Sequence, residues 1–124
     1  MIATYNLLYV DDVPRSRDFY RVIFDSEPVQ DQQTFALFVQ PNGLKFGLWK
    51  REDVKPPAEP SARSSGFELG LPVENAEDVD AIADLWRNKG IELLQEPTDM
   101  DFGRTFTAAD PDGHRLRVFA PAGS

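Results

Sequence analysis

Apolar and polar positions along the chain follow two periods, and the order in which the periods change lays out a fold. Tyr5 to Val10 alternates in the manner of a strand, with Tyr5, Leu7 and Tyr9 on one parity and Leu8 and Val10 on the other. Asp11 and Asp12 end it with side chains that can cap a helix, and Pro14 suits a first helical turn. From Val13 to Phe24, Phe19, Val22 and Ile23 recur at helical spacing while Arg15, Arg17, Asp18 and Arg21 stay polar, which predicts an amphipathic helix that needs a sheet to lie on. Three short strands are expected next, about residues 28–31, 34–40 and 44–50. The last two are joined by Pro41-Asn42-Gly43, a strong hairpin signal. Together these elements make a βαβββ module.

Residues 52–65 hold Pro56, Pro57 and Pro60 among serines and charges without periodicity, the signature of an extended linker. The pattern then begins again. Phe67 to Val73 reads as a strand, Asn75 can cap a helix, and Val79, Ile82, Ala83 and Trp86 form a helical stripe that Gly90 stops. Further strands are expected at about 91–95, 104–109 and 114–119. Asp110-Pro111-Asp112-Gly113 stands seventy positions after Gln40-Pro41-Asn42-Gly43. A hairpin repeated at a fixed offset points to a duplicated module; unrelated segments that alternate similarly are the plainer alternative. The expected architecture is one α+β domain spanning 1–124, with modules at 1–51 and 66–124 and a linker at 52–65.

Composition narrows the function. A 41% apolar and 27% charged content is that of a globular chain, and the longest apolar runs fall far short of a membrane span, so no membrane is expected as a partner. The formal charge of -8 repels phosphate backbones, which argues against nucleic acid. The absence of cysteine and of a leader-like N-terminus gives an expectation of a cytoplasmic protein.

The run LLYVDDVPRSRDFYRVIF, the PNG turn and a second half ending FGRTFTAADPDGHRLRVF, in this module order, resemble the vicinal-oxygen-chelate superfamily: glyoxalase I, extradiol dioxygenases and bleomycin-resistance proteins. Within it, SRDFYRVIF, Gly47-Leu48-Trp49 and FGRTF…DPDGHRLRV look most like the phenazine antibiotic resistance proteins. The resemblance implies an incomplete, glyoxalase-like barrel completed in a domain-swapped homodimer, with a small molecule cupped by the sheets.

Strand parity gives the candidate site. Leu8, Val10, Phe46, Leu48, Leu69, Leu71, Val73, Leu116 and Val118 form a uniformly apolar set suited to helix packing. The opposite parity carries Tyr5, Leu7, Tyr9, Lys45, Gly47, Trp49, Glu68, Gly70, Arg115, Arg117 and Phe119. Such a mixed, ring-rich surface suits a ligand cup, or else packing between modules or subunits. Where the resembled superfamily holds a divalent ion, this chain has Tyr5, Gly47, Glu68 and Arg117, and a guanidinium has no lone pair to offer. No metal and no other cofactor is therefore expected, and His114 reads as a turn-adjacent surface residue. Arg117 is expected beside Glu68, as an ion pair or as a fork for a ligand carboxylate or carbonyl. Met100 and Phe102, on a loop from Asp99 to Gly103, could flank the mouth or simply pack on the surface. By resemblance, Trp49 would sandwich a flat aromatic ligand. The expected function is metal-free sequestration of a small planar aromatic antibiotic or metabolite, without catalysis. A glyoxalase-like lyase or isomerase using Glu68 as a general base with non-standard metal ligands is the alternative, and a structural or regulatory partner protein a third.

Overall fold

The structure, a computed structural model, describes residues 1–57 and 67–122. The chain divides into two compact units, Met1–Ala62 and Arg63–Ser124. In the first, β1 (Tyr5–Val10) leads into α1 (Val13–Phe24), followed by β2 (Gln30–Asp31), β3 (Phe35–Val39) and β4 (Lys45–Lys50). In the second, β5 (Glu68–Pro72) leads into α2 (Ala76–Asn88), followed by β6 (Glu92–Met100), β7 (Gly103–Ala109) and β8 (Arg115–Pro121). The two sheets have the same topology, β1-β4-β3-β2 and β5-β8-β7-β6, with the first and last strands of each unit paired in parallel and the other pairs antiparallel. This is an α+β, glyoxalase-like fold made of two βαβββ units.

Local signals act where the sequence places them. Asp12 caps α1 by accepting from the Arg15 amide at 3.1 Å. Asn75 and Asp78 form a reciprocal capping box at the start of α2. The two hairpins share one hydrogen-bond pattern. The Gly43 amide donates to the Gln40 carbonyl at 2.8 Å and the Gly113 amide to the Asp110 carbonyl at 3.0 Å, with positive φ at both glycines (89° and 88°). Conformation, and not only sequence, is therefore repeated.

The helix-packing parity is buried in the first unit, where Leu8, Val10, Phe46 and Leu48 are at most 5% exposed. In the second unit Leu116 and Val118 are buried, while Leu69, Leu71 and Val73 on or beside the edge strand are half-buried. On α2 the stripe is as expected, with Val79, Ala83 and Trp86 buried and Trp86 edge-on to Phe106 at 5.3 Å. On α1 it is not. The buried face is Val13, Ser16 and Tyr20, continued by Phe24, whereas Val22 is exposed. Tyr20 stacks on Phe24 and meets Phe46 at 4.7 Å, and Phe24 meets Phe38 and Phe46. The spacing of Phe19, Val22 and Ile23 was helical, yet a tyrosine and a serine also bury when their hydroxyls have partners, as both do here.

Three further expectations are corrected. β6 runs on to Met100, so the segment from Asp99 to Gly103 is a hairpin end with Asp99 facing Arg104 and Met100 facing Gly103, and not a loop. Gly103 is obligatory there, because at φ 135° a Cβ would fall 2.0 Å from the Ala120 carbonyl oxygen. The expected linker begins with order: Arg51–Asp53 forms a 3-10 turn and Val54 is buried. Positions 58–65 of that linker lie outside the described residues. His114, finally, is not a surface residue but is 7% exposed.

Tyr20→Ala is expected to lower stability by about 3–5 kcal/mol in urea denaturation, as for other buried aromatics, while Val22→Ala stays within about 0.5 kcal/mol.

Candidate functional site

In the first unit, the face turned away from α1 carries Tyr5, Leu7 and Tyr9 from β1, Lys45, Gly47 and Trp49 from β4, and Phe35, Leu37 and Val39 from β3, aligned in rows by the register. Tyr9 and Trp49 form an edge-to-face pair at 6.3 Å, and both are half-buried. Lys45 places its ammonium 5.2 Å from the centre of the Tyr5 ring. Gly47 is not a gap. Leu7 and Phe35 lie over it, so that a Cβ would come within 2.6 Å of Leu7 Cδ2 and 3.2 Å of Phe35 Cζ. The expected Tyr5, Tyr9, Gly47 and Trp49 thus share one face. Phe35 belongs with them, and β3 parity, alternating with buried Ala36 and Phe38, was the signal that could have found it.

In the second unit, the face turned away from α2 is polar. Arg117 donates from Nε to Glu68 Oε1 at 2.8 Å, the ion pair foreseen as one option. Its Nη1 reaches Gln95 Oε1 and Thr105 Oγ1, each at 3.3 Å. Thr105 donates to the Val118 carbonyl at 2.8 Å, and Thr107 donates to Gln95 Oε1 at 3.2 Å. Phe102 meets Phe119 edge-on at 6.3 Å, with the Arg117 guanidinium 5.8 Å from the Phe102 ring centre. Glu68, Arg117, Phe102 and Phe119 are therefore together. Gln95, Thr105 and Thr107 were missed, although the threonine parity on β7 opposes buried Phe106 and Ala108. Met100 stands apart from Arg117 in these contacts, its sulfur accepting from Gln95 Nε2 at 3.6 Å, and it lines a groove with Arg104, Glu77 and Pro121. Asp99 and then Asp80 hydrogen-bond the Arg104 guanidinium and raise its pKa further.

The family model of the Glyoxalase/Bleomycin resistance protein/Dioxygenase superfamily matches residues 2–118. The chain belongs to this superfamily. It is 38% identical over 116 residues, 90% of this chain and 86% of the relative, to the phenazine antibiotic resistance protein EhpR of Enterobacter agglomerans. Among solved structures, a protein of Agrobacterium tumefaciens determined by solution NMR is 47% identical, covers 99% of both chains and superposes with a TM-score of 0.90. A possible glyoxalase of Bacillus cereus is 26% identical over 97% of this chain and 99% of its own, with a TM-score of 0.75.

Superfamily membership raises the question of a metal, and the four expected positions do not fit one. Gly47 offers no ligand atom and its space is taken by Leu7, while Arg117 is a fixed cation already bonded to Glu68. Asp110, Asp112 and His114 bring ligand atoms within 4.8 Å of one another at the β7–β8 turn. Their bonds serve the turn. Asp110 Oδ1 accepts from the Asp112 amide at 2.9 Å and the His114 amide at 2.8 Å, and Oδ2 lies 2.7 Å from His114 Nδ1. An ion taking this carboxylate and Nδ1 would have to displace those bonds.

Two outcomes follow from this geometry. Gly47→Ala is expected to cost about 1–2 kcal/mol by overpacking, with Leu7→Ala in the same chain recovering most of it, read as a coupling in a double-mutant cycle. Asp110→Ala strands two amides and an imidazole and is expected to cost about 2–4 kcal/mol, whereas chelator treatment leaves the melting temperature unchanged.

Proposed function

We propose that the chain binds a small planar aromatic compound of the phenazine class and confers resistance by holding it, with neither a metal ion nor covalent change. The observation that carries this reading is the ring-lined face of the first unit, where Trp49 stands edge-on to Tyr9 in the row of Phe35, with Tyr5 two rows along the same face. The relative EhpR, a phenazine antibiotic resistance protein, supports the ligand class. A flat tricycle hiding on the order of 300 Å² of apolar surface gains about 7 kcal/mol gross at roughly 25 cal/mol per Å². Association costs several kcal/mol of that, leaving micromolar affinity within reach of stacking alone. Sequestration asks for nothing more. Glu68, the base of a lyase alternative, is instead engaged by Arg117 Nε.

Homodimer formation and a cytoplasmic location complete the reading; sedimentation is expected to give twice the 14.0 kDa chain mass.

Titration with phenazine is expected to quench tryptophan emission with a micromolar midpoint. Trp86 is buried against Phe106, so the response should come from Trp49 and vanish in Trp49→Phe. Trp49→Ala should weaken binding roughly tenfold or more, the scale of one lost ring contact of 1.5–3 kcal/mol. No binding across a panel of planar tricycles would sink the proposal.

A further inference from the structure

The helix-free face of the first unit is almost without charge, and its one exception stands at a definite place. Across the sheet its rows are Tyr5–Lys45–Val39, Leu7–Gly47–Leu37–Gln30 and Tyr9–Trp49–Phe35. Lys45 is the only charged residue in them, although the chain carries 21 acids and a net charge of -8. An anionic group entering along these rows meets a cation and no like charge.

That cation is uncommitted where its neighbours are not. Arg17 pairs with Asp18 and Asp31, Arg21 with Asp18 and Glu27, Lys50 with Glu52 and Arg51 with Asp11. The half-buried Lys45 side chain has neither an ion pair nor a hydrogen-bond acceptor among the described residues; its ammonium lies 5.2 Å from the centre of the Tyr5 ring. A ring holds one side of an ammonium, and a group with three N–H donors keeps some of them for a ligand.

Its distance from the stacking residue suits a flat ligand. Lys45 precedes Trp49 by four positions on β4, about 13 Å along the strand at roughly 3.3 Å per residue. Between them Leu7 lies over Gly47 and makes an apolar floor. A fused tricycle resting on that floor with one end against Trp49 has its other end beside the Lys45 row. Ring contact and charge thus bracket the ligand's long axis within a single sheet.

We infer that Lys45 selects ligands carrying a single anionic substituent at the end of the ring system remote from Trp49, so that the preferred class is planar aromatic acids. This deepens the proposed function and rests on it. An ammonium is a compact point charge, so it selects by charge and by position along the axis, not by matching a planar fork.

The test is calorimetric titration of the full chain with phenazine, phenazine-2-carboxylate and phenazine-2-carboxamide, whose substituent projects along the long axis. The carboxylate is expected to bind about fivefold tighter than phenazine and than the neutral carboxamide, the scale of a partly exposed ion pair. Lys45→Met and Lys45→Gln should each bring the carboxylate-to-phenazine affinity ratio close to one, and Lys45→Arg should keep it. Lys50→Gln removes an equal charge from the opposite parity of the same strand and should leave the ratio unchanged. The inference is overturned if phenazine binds and the carboxylate has no advantage, if the ratio survives in Lys45→Met and Lys45→Gln, or if Lys50→Gln lowers it as much. Failure of all three compounds to bind removes the proposed function, and this inference with it.

Discussion

Each unit depends on the parallel pairing of its first and last strands. Parallel neighbours need a crossover, and the crossover element here includes a helix that lies on one face of the sheet it feeds. Once α1 sits against β3 and β4, the parity of Ala36, Phe38, Phe46 and Leu48 is fixed as core, and every residue between them is turned to the other side. α2 does the same through Trp86 and Phe106. The faces that carry rings in one unit and an ion pair in the other are thus consequences of where two helices found apolar strands. A one-residue slip in β4 would bury Lys45 and Trp49 under α1 and expose Phe46, which the aromatic cluster around Tyr20 opposes.

The duplicated units solve the centre of the helix-free face in reciprocal ways. In the register, Leu7 stands beside Gly47 and Gly70 beside Arg117. Each unit pairs one bulky side chain with one glycine across its parallel strands, but the bulk comes from the first strand in one unit and from the last in the other. The reason is spatial. Where both partners of a row are large, as with Tyr9 and Trp49, the rings meet edge to face, whereas a glycine lets its neighbour fold over the sheet. Leu7 folding over Gly47 makes an apolar floor; the Gly70 row leaves Arg117 free to reach Glu68 and Gln95.

Much of this was legible in the sequence because it rests on period and turn chemistry. Both hairpins, the caps at Asp12 and Asn75, the α2 stripe and the parity of Tyr5, Trp49, Glu68 and Arg117 depend on residue type and spacing alone. What escaped depended on partners. Tyr20 reads as polar until Phe46 and Phe24 enclose it, and Thr105 and Thr107 read as ordinary strand residues until Arg117 is seen to need acceptors behind it. His114 escaped for the same reason. A histidine after a turn is exposed unless something inside the turn takes its Nδ1, and Asp110 does so while also holding two amides. The equivalent brace in the first hairpin is one bond, from the Leu44 amide to Asn42 Oδ1, and buries no ring.

The superfamily framework can hold an ion because its strand positions converge polar groups that are costly to leave unsatisfied. In this chain the residues at those positions satisfy one another or need nothing. Glu68 has its countercharge in Arg117, Tyr5 has the Lys45 ammonium over its ring, and Gly47 has no polar side chain at all. The one carboxylate among these positions is balanced within its own sheet, at the modest strength expected of a partly exposed pair. What these positions leave on the helix-free faces is aromatic area in the first unit and a guanidinium fork in the second.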